Sequence, residues 1–293
     1  MQETVIDFQR PNLTYNHSVY RNPKKQSESF PIHSHNSYEL LFFTRGNALY
    51  HIEDRTYELK KNDLVIIRPR QYHHLEILSD EVYERYVLNF TPNLLNLDLD
   101  RLLPENVEVV NCDRNNVVTQ NFVKSDYYRT ALRDEDFGNI LLCLIKELLY
   151  NVSISHQNTY SMPSSLSPVI TSAVEYINDN LFTIRSVKEI SDYLYISETY
   201  FFKIFKDQLK LSPKRYIVEK RLLAAQYMIM TGKKPSEVYA KCGFETYPAF
   251  YKRYTDFFGH CPSKCTEGFE PTKHKSRARL GATKKAPKRV LFL

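Results

Sequence analysis

The sequence has no tryptophan and no apolar run close to the roughly 20 residues that a membrane-spanning helix needs. Its opening stretch, MQETVIDFQRPN, contains no basic flank followed by an apolar core, so no export signal is predicted. Only five cysteines occur in 293 residues, an odd number without a CxxC pair, which argues against a disulfide framework. These absences lead us to expect a cytoplasmic protein without membrane attachment.

Two of the cysteines lie in a loose group of possible metal ligands near the carboxy terminus. Cys261 and Cys265 are close in sequence to His260 and His274. Their spacing does not match the short, regular ligand intervals of structural zinc sites. No zinc site is therefore predicted in this region.

Charge divides the chain into two unlike halves. Residues 1–167 hold 17 Lys and Arg against 22 Asp and Glu, a net charge of −5, whereas residues 168–293 hold 23 against 12, a net charge of +11. Eight of those basic residues lie in 271–293, a stretch without acids or apolar periodicity that we expect to be disordered. The basic half suits a polyanionic partner, and the acidic half does not.

The amino-terminal half reads as short strands. Segments rich in β-branched and aromatic residues alternate with turn residues, and this pattern predicts an antiparallel sandwich or barrel that can hold a small ligand in its mouth. The predicted strands are Tyr38–Phe43, Ala48–Ile52, Thr56–Leu59, Asp63–Ile67 and Tyr83–Leu88. Residues 91–131 show little periodicity and carry no prediction of a regular element.

Part of this region resembles the cupin barrel. The matching residues are His33, His35, Glu39, Gly46, Pro69 and His73, and the sequence departs from the pattern at Asn62 and Arg70, where cupins favour glycine. The resemblance implies that the three histidines and the glutamate converge on one place, which in metal-binding cupins holds an ion. Such a donor set suits Zn, Fe, Mn or Ni. Two interpretations stay open, a metal site and a ligand pocket; we predict an effector pocket and no cofactor.

A strongly apolar helix is predicted over residues 136–149. Phe137, Ile140, Leu144 and Leu148 recur at helical spacing and define a broad apolar face. That face either packs on the barrel or is shared with a second copy of the chain, since twofold dimers are the commonest oligomers. We expect a homodimer. The polar, serine-rich residues 151–167 follow as a predicted linker.

The carboxy-terminal half contains two helix-turn-helix patterns, in residues 186–207 and 236–258. Helix-start signals occur at Pro168, at the Ser186/Glu189 capping box, and at the caps Ser197, Ser212, Ser236 and Thr246. Between the two patterns, Pro213–Met230 reads as one helix of about 27 Å. Such a strut can set two recognition helices about one DNA turn apart.

Each predicted recognition helix has an apolar stripe and an outward face. Outward residues of a recognition helix are the ones that reach base edges and phosphates in a major groove. The DNA-binding residues predicted in this way are Ser197, Thr199, Phe202, Lys203, Lys206, Tyr247, Tyr251 and Lys252.

Residues 168–266 resemble the AraC/XylS family of transcription regulators. The matching residues are Ser197, Phe201, Phe205, Lys206, Leu211, Ser212, Pro213, Arg221, Leu222, Ala225, Gly243, Phe244, Phe250, Tyr254, Gly259, Pro262 and Ser263. The resemblance implies a ligand- or partner-responsive regulator, usually an activator, that binds tandem promoter sites and works with RNA polymerase. The sequence departs from the family at Tyr195 and Lys210, where the family usually has glycine, and at Tyr239, Thr255 and Cys265.

The expected fold is therefore α+β in two domains. A cupin-like β-barrel with helices (1–150) is followed by a linker (151–167), an all-α domain with two helix-turn-helix units (168–270) and the basic tail (271–293). The expected function is a sequence-specific DNA-binding regulator, not an enzyme, under control of a small molecule, with a sugar as one candidate class. Two alternatives stay open: a metal-dependent cupin enzyme fused to a DNA-binding module, and a regulator whose barrel only dimerises or contacts a protein.

Overall fold

Alternating apolar residues in the amino-terminal half form antiparallel strands. The computed structural model describes residues 2–23, 30, 32–103, 107–155 and 166–264. The strands in these ranges are β1 (Gln2–Arg10), β2 (Leu13–Tyr20), β3 (Tyr38–Arg45), β4 (Ala48–Ile52), β5 (Arg55–Glu58), β6 (Asp63–Ile67), β7 (His73–Ile77), β8 (Tyr83–Phe90) and β9 (Val109–Asn111). All five predicted strands are confirmed as β3, β4, β5, β6 and β8, and the sequence prediction missed the other four.

The strands form two sheets that face each other. One has the strand order β1-β2-β8-β3-β6-β9 and the other the order β5-β4-β7, with every pairing antiparallel. Between the sheets lies an apolar core to which Phe43 and Ile67 of the large sheet and Tyr50 and Ile77 of the small sheet contribute. The predicted antiparallel barrel is confirmed.

Helices cover the outer face of the large sheet. The four-residue α1 (Leu99–Leu102) is followed by α2 (Asn116–Ala131) and α3 (Asp134–Ser155), and residues of all three share one apolar cluster with the sheet. Strands β3 and β6 are thus covered on both sides, which is why Leu40–Phe43 and Leu64–Ile67 are uninterrupted apolar runs.

Helix α3 is longer than predicted. Its face with Phe137, Leu141, Ile145 and Leu148 is buried against the barrel, so packing on the barrel is confirmed, while a face shared with a second copy stays a prediction. By length and composition alone, Asp134–Ile154 would suffice to cross a membrane, contrary to the expectation from the sequence. The burial of its apolar face is that of a core helix in a globular domain.

The carboxy-terminal domain is helical. It contains α4 (Pro168–Asp179), α5 (Val187–Tyr193), α6 (Glu198–Leu209), α7 (Pro213–Met230), α8 (Pro235–Lys241) and α9 (Tyr247–Phe258). The capping box at Ser186 and the caps at Ser197, Ser212 and Thr246 are confirmed. The predicted cap at Ser236 is wrong: α8 begins after Lys234, because Pro235 takes the first helical position, where its missing N–H costs nothing.

Helix α7 joins the two helix-turn-helix units by taking part in both of their apolar cores. Tyr216 and Ile217 pack in the core of the first unit, and Leu222 and Ala225 in the core of the second. The Arg221 guanidinium donates to three carbonyls, those of Leu181 at 2.7 Å, Ile184 at 2.5 Å and Gly243 at 2.8 Å. The side chain of Arg221 therefore links α7 both to the segment that follows α4 and to the turn between α8 and α9.

The domain boundaries inferred from the sequence stay predictions. Helix α3 includes the first residues of the predicted linker, and residues 156–165 of that linker lie outside the described ranges. The same holds for Cys265, for His274 and for the basic tail 271–293. The four cysteines within the described ranges carry free thiols.

Candidate DNA-binding face and effector site

The outward face of α6 carries the residues predicted to meet DNA. Phe201 and Phe205 are fully buried, which turns Thr199, Lys203 and Lys206 to the solvent. Ser197 is exposed at the amino terminus of α6, where its hydroxyl accepts from the N–H of Tyr200.

Phe202 lies on the same outward face and is 45% exposed. Lys203 and Lys206 are exposed on the same helix and form no ion pair within the described residues. This face therefore fits an apolar contact of Phe202 with a thymine methyl group and contacts of the lysines with phosphates.

The second recognition helix, α9, presents a less uniform face. Tyr251 and Lys252 are exposed as predicted. Tyr247 is half-buried because its ring packs against the rings of Tyr239 and Phe250, with centroid distances of 5.8 Å and 6.0 Å. Tyr239, one of the residues at which the sequence departs from the AraC pattern, therefore packs against α9 and covers part of Tyr247.

Three histidines and a glutamate meet where the two sheets of the barrel join. His33 and His73 pair through backbone hydrogen bonds in an isolated bridge, and Glu39 lies on β3. One possible ligand atom from each of His33, His35, Glu39 and His73 lies within 4.8 Å of the other three, and we call these four residues the His–Glu tetrad. The sequence prediction that these four residues converge is confirmed by the geometry. Their assignment to an effector stays a prediction.

Each buried side chain of the tetrad is oriented by hydrogen-bond contacts with neighbouring groups. His35 Nε2 lies 3.2 Å from Glu39 Oε2, and the hydroxyl of Tyr50 donates to Glu39 Oε1 at 3.1 Å. The Nδ1 atom of His35 lies 3.1 Å from the carbonyl of Ser37, and that of His73 lies 2.9 Å from the carbonyl of Gln71. Contacts of this kind orient metal-ligating imidazoles and carboxylates.

The protonation states of the tetrad follow from its burial and its charges. Burial would raise the pKa of Glu39, but the hydrogen bond with His35 and the neighbouring imidazoles outweigh it and lower this pKa well below its usual range. Burial, reinforced by His33, lowers the pKa of His73 well below the ordinary value for histidine. At neutral pH the tetrad therefore contains a carboxylate and a neutral imidazole, both of which offer lone pairs to a cation.

Further polar groups in the barrel interior were missed at the sequence level. The guanidinium of Arg85 is buried between the rings of Tyr20 and Phe30, and neither its Nε nor the hydroxyl of Tyr83 has a hydrogen-bond partner within the described ranges. Arg85 could have been identified from its position in the sequence. It lies two residues after Tyr83 and two before Val87, so it shares the inward face of the strand with them. A polar effector would satisfy these groups.

The barrel contacts the helical domain through buried polar side chains on α7. Glu53 pairs with Lys220 at 2.8 Å and accepts from the hydroxyl of Tyr216. The hydroxyl of Tyr72 donates to Glu219 at 2.7 Å, and the rings of Tyr72 and Tyr216 stack at 4.9 Å.

A second set of contacts to α7 comes from one amide. The Nδ2 atom of Asn36 donates to the carbonyl of Leu223 and to Oε1 of Gln226, both at 2.8 Å. None of these residues was predicted to be functional, because contacts between distant parts of a chain leave no periodic signal in a single sequence. Asn36 did have a clue in its position, inside the motif that carries His35 and Glu39.

A small cavity of about 40 Å³ lies between the two domains. It is lined from the barrel by Ile32, His51, Glu53, Asp54, Thr56, Tyr72 and His74, and from the helical side by Leu166, Gln208, Leu209, Leu211 and Tyr216. A space of this size holds about one water molecule.

Comparison with known proteins agrees with this architecture. The family model described as AraC-like ligand binding domain matches residues 17–165, and the one described as helix-turn-helix domain matches residues 190–268. The HTH-type transcriptional activator RhaR of Cronobacter sakazakii is 26% identical over 226 residues, which cover 74% of this chain and 79% of that protein. The HTH-type transcriptional regulator ArgR of Pseudomonas aeruginosa is 33% identical over 99 residues, 33% of this chain and 30% of that one.

Among solved structures, ToxT from Vibrio cholerae aligns with 87% of this chain and 96% of its own, at 16% identity and a TM-score of 0.35. The ligand-binding family model alone spans half of the chain, and the helix-turn-helix match follows it in the same order as the two domains described above. The chain therefore belongs to the AraC family of transcriptional regulators and combines a ligand-binding domain with a helix-turn-helix domain.

Proposed function

We propose that the protein is a sequence-specific transcription activator that binds tandem major-groove half-sites through α6 and α9. A small molecule bound in the barrel controls it, and a sugar is the first class to test. It acts in the cytoplasm as a homodimer and engages RNA polymerase at the promoter. The activator role is supported by the names of the RhaR relatives.

The observation that carries this proposal is the attachment of both helix-turn-helix units to α7. Arg221 bonds the carbonyls of Leu181 and Ile184, which precede the first unit and pack in its core, and that of Gly243 in the second unit. The cores of both units also include residues of α7. Because α7 connects α6 and α9 rigidly, their two exposed faces favour binding to two neighbouring segments of one duplex over binding by either helix alone. The exposed face of α6, which carries Phe202, Lys203 and Lys206, has the chemistry to contact bases and phosphates.

The test is competition binding with the full chain. DNA fragments recovered from a genome-wide binding map are expected to bind at least about a thousandfold more tightly than random duplex at one fixed salt concentration. Half-sites in the recovered fragments are expected about one helical turn apart. Equal affinity for recovered and random duplex would contradict the proposal.

The His–Glu tetrad favours a second candidate, a metal-dependent cupin enzyme with a DNA-binding module. The discriminating experiment combines elemental analysis, a search for turnover, and promoter output in His35→Ala and Glu39→Gln variants. Stoichiometric metal with turnover that both variants abolish supports the enzyme. Altered promoter output without turnover in the parent protein supports the regulator.

A further inference from the structure

The inward face of strand β8 carries three polar side chains, each with an unpaired atom. Tyr83, Arg85, Val87 and Asn89 alternate along the strand and so share the face that looks into the barrel, where Tyr83 and Val87 pack in the apolar core. The hydroxyl of Tyr83, the Nε of Arg85 and the side-chain oxygen of Asn89 are buried and have no hydrogen-bond partner within the described ranges. Because buried polar atoms are normally satisfied, this row indicates that a polar molecule binds there.

The charge of Arg85 indicates what kind of molecule this is. Within the described ranges its one hydrogen bond runs from Nη2 to the neutral hydroxyl of Tyr20 at 3.3 Å, and it forms no ion pair. The rings of Tyr20 and Phe30 lie 5.7 Å and 5.6 Å from its Cζ, and they attract a cation without neutralising it. A water molecule would satisfy the Nε, but only an anion also balances a guanidinium, which is always charged.

A molecule from solution can reach this guanidinium. Arg85 as a whole is half-buried, although its Nε is fully buried. Tyr83 and Asn89 on either side of it are more than nine-tenths buried. The row is therefore open at Arg85 and closed at its two ends, as expected of a site that a small molecule enters with its charged group at the arginine.

The far end of the row is rich in hydrogen-bond acceptors. Asn89 is paired with Glu39 across strands β8 and β3, so the two side chains lie on the same inward face. His73 Nε2 lies 3.9 Å from Glu39 Oε2 and carries a lone pair, because the ring proton on Nδ1 faces the carbonyl of Gln71 at 2.9 Å. The carboxylate, the amide oxygen and the imidazole nitrogen all accept, so a ligand group among them has to donate.

The two ends are a small molecule apart. Four strand residues separate Arg85 from Asn89, which places their Cα atoms about 13 Å from each other. Their side chains and two hydrogen bonds take up part of this distance, so a molecule of about four to six carbon atoms can connect the two ends. A carboxylate suits the arginine better than a phosphate ester, which carries nearly two negative charges, because Glu39 on the same face is itself negative.

We propose that the effector is a small organic acid, whose carboxylate is bound by Arg85 and Tyr83 and whose other end donates hydrogen bonds to Asn89 and Glu39. Sugar acids, with hydroxyl donors, and amino acids, with an ammonium donor, both have this chemistry. The inference rests on the proposed function, which places a small-molecule effector in the barrel, and it replaces neutral sugars with acids as the class to test.

The carboxylate site is tested by NMR on the full chain with isotope-labelled arginine. Acetate is the probe, and acetamide is its neutral control of the same shape. The Nε–H signal of Arg85, identified by its absence in Arg85→Lys, should shift saturably with acetate and stay unchanged with acetamide. The signal of Arg114, which is exposed before α2, should show no saturable shift. No saturable shift at Arg85, or the same response at both arginines, would mean an adventitious ion only and overturn the site.

The donor end is tested by calorimetric titration with two matched pairs of ligands. D-Glucuronate and D-glucose differ by a carboxylate in place of a hydroxymethyl group, and L-serine and L-serinamide differ by a carboxylate in place of an amide. At least one acid should bind at least tenfold more tightly than acetate and than its own neutral partner. Neutral partners that bind as tightly as the acids overturn the anion site, and acids that bind no better than acetate overturn the donor end.

Three variants assign the two ends to residues. Arg85→Gln should weaken the binding of every acid at least tenfold, while Arg114→Gln, the same change at an exposed position, should leave it within twofold. Asn89→Ala should weaken the better acid at least fivefold and leave acetate within twofold. Equal effects of Arg85→Gln and Arg114→Gln contradict the assignment. If Arg85→Gln does not fold, as judged by circular dichroism, the NMR titration of the parent protein decides.

DNA binding separates this inference from the proposed function. Saturating acid should change the dissociation constant for the recovered duplex at least fivefold in the parent and leave it unchanged in Arg85→Gln. A chain that binds its duplex specifically but binds none of the acids overturns the acid site and leaves the regulator standing. An acid that binds through Arg85 without changing the affinity for any duplex upholds the site and contradicts the proposed control by an effector.

Discussion

Several residues in turns of this protein have left-handed backbone conformations that are unusual for their type. Tyr195, in the turn of the first helix-turn-helix, has φ of 55°, and Lys210, which ends α6, has φ of 57°. Asn62 and Arg70 in the barrel have φ of 65° and 70°. All four stand where the resembled families favour glycine, the residue that adopts this left-handed conformation without steric cost. The turns have thus kept the conformation that glycine favours while the side chains have changed.

Replacing Tyr195 by glycine should therefore stabilise the protein. The ring is 95% exposed, so the substitution removes little packing, and relief of the left-handed strain should raise the free energy of unfolding by about 1 kcal/mol. Urea denaturation of the full chain, followed by circular dichroism, measures this change. Tyr251→Gly, the same change in the interior of α9, should lower the free energy of unfolding by about 0.5 kcal/mol from helix propensity alone. The strain argument does not survive if both substitutions destabilise.

Residue-level prediction from the sequence succeeded where chemistry and spacing coincide. The convergence of the His–Glu tetrad was expected from the resemblance to the cupin pattern, and the exposed face of α6 follows from a period of 3.6 residues. Asn36, Glu53 and Tyr72 could not be found in this way. Their partners on α7 are 147 to 190 positions away in the sequence, and only folding brings the two together.

At the scale of elements, the missed helix α2 shows what periodicity cannot detect. Its buried positions are Val118, Asn121, Phe122 and Ser125, so half of its inner face is polar. The Nδ2 of Asn121 and the hydroxyl of Ser125 donate to backbone carbonyls four residues earlier, so these two donors are satisfied inside the helix without an apolar signal in the sequence. Strand β7 was missed for a similar reason, since its first inward residue is His73.

The connection between the two DNA-binding units should depend on Arg221. Arg221→Ala leaves three carbonyls without their donor, two of them buried and one partly buried, and we expect the free energy of unfolding of the helical domain to fall by about 3 kcal/mol. Affinity for a site with both half-sites should fall more than affinity for a single half-site, because the units lose their common anchor. Chemical denaturation and competition binding measure the two effects.

Arg253→Ala is the matched control for Arg221, since it removes the same charge from an exposed position on α9. It should leave stability within about 0.5 kcal/mol. Equal losses for the two half-site arrangements in Arg221→Ala would show that the guanidinium stabilises the fold without coupling the units.

Lys203 on α6 provides a test of how the recognition face reads DNA. Lys203→Ala should weaken specific binding by about 1–3 kcal/mol if the ammonium contacts a base. If the ammonium contacts a phosphate, the slope of log affinity against log salt concentration should become shallower by about one. Lys124→Ala removes the same charge from α2 of the barrel domain and should change neither quantity. Competition binding over a range of salt concentrations separates the cases, and no effect in Lys203→Ala removes this residue from the interface.

At the scale of the whole molecule, the described contacts between the two domains combine buried polar groups with Tyr72 and Ile32 of the barrel, which pack against the apolar core of the helical domain. Glu53 and Lys220 form a buried ion pair, and the aromatic rings of Tyr72 and Tyr216 stack beside it. A buried pair adds little net stability, but it is costly to break from one side. We therefore expect the junction to separate when this pair is broken, and to pass from an attached to a detached state.

Glu53→Gln should shift the molecule toward the detached state. The substitution leaves the ammonium of Lys220 buried without its carboxylate, at a cost of about 3–5 kcal/mol, which should increase the radius of gyration and the hydrogen exchange of α7 around Tyr216. Glu53→Gln combined with Lys220→Met removes both charges and should recover most of the attachment. Small-angle scattering and hydrogen exchange of the full chain provide the two readouts. Lys220→Met alone completes the comparison, because it also removes the hydrogen bond from Nζ to Asn178. If the effects of the two single substitutions add in the double variant, the domains are held by packing and the ion pair has no part in their coupling.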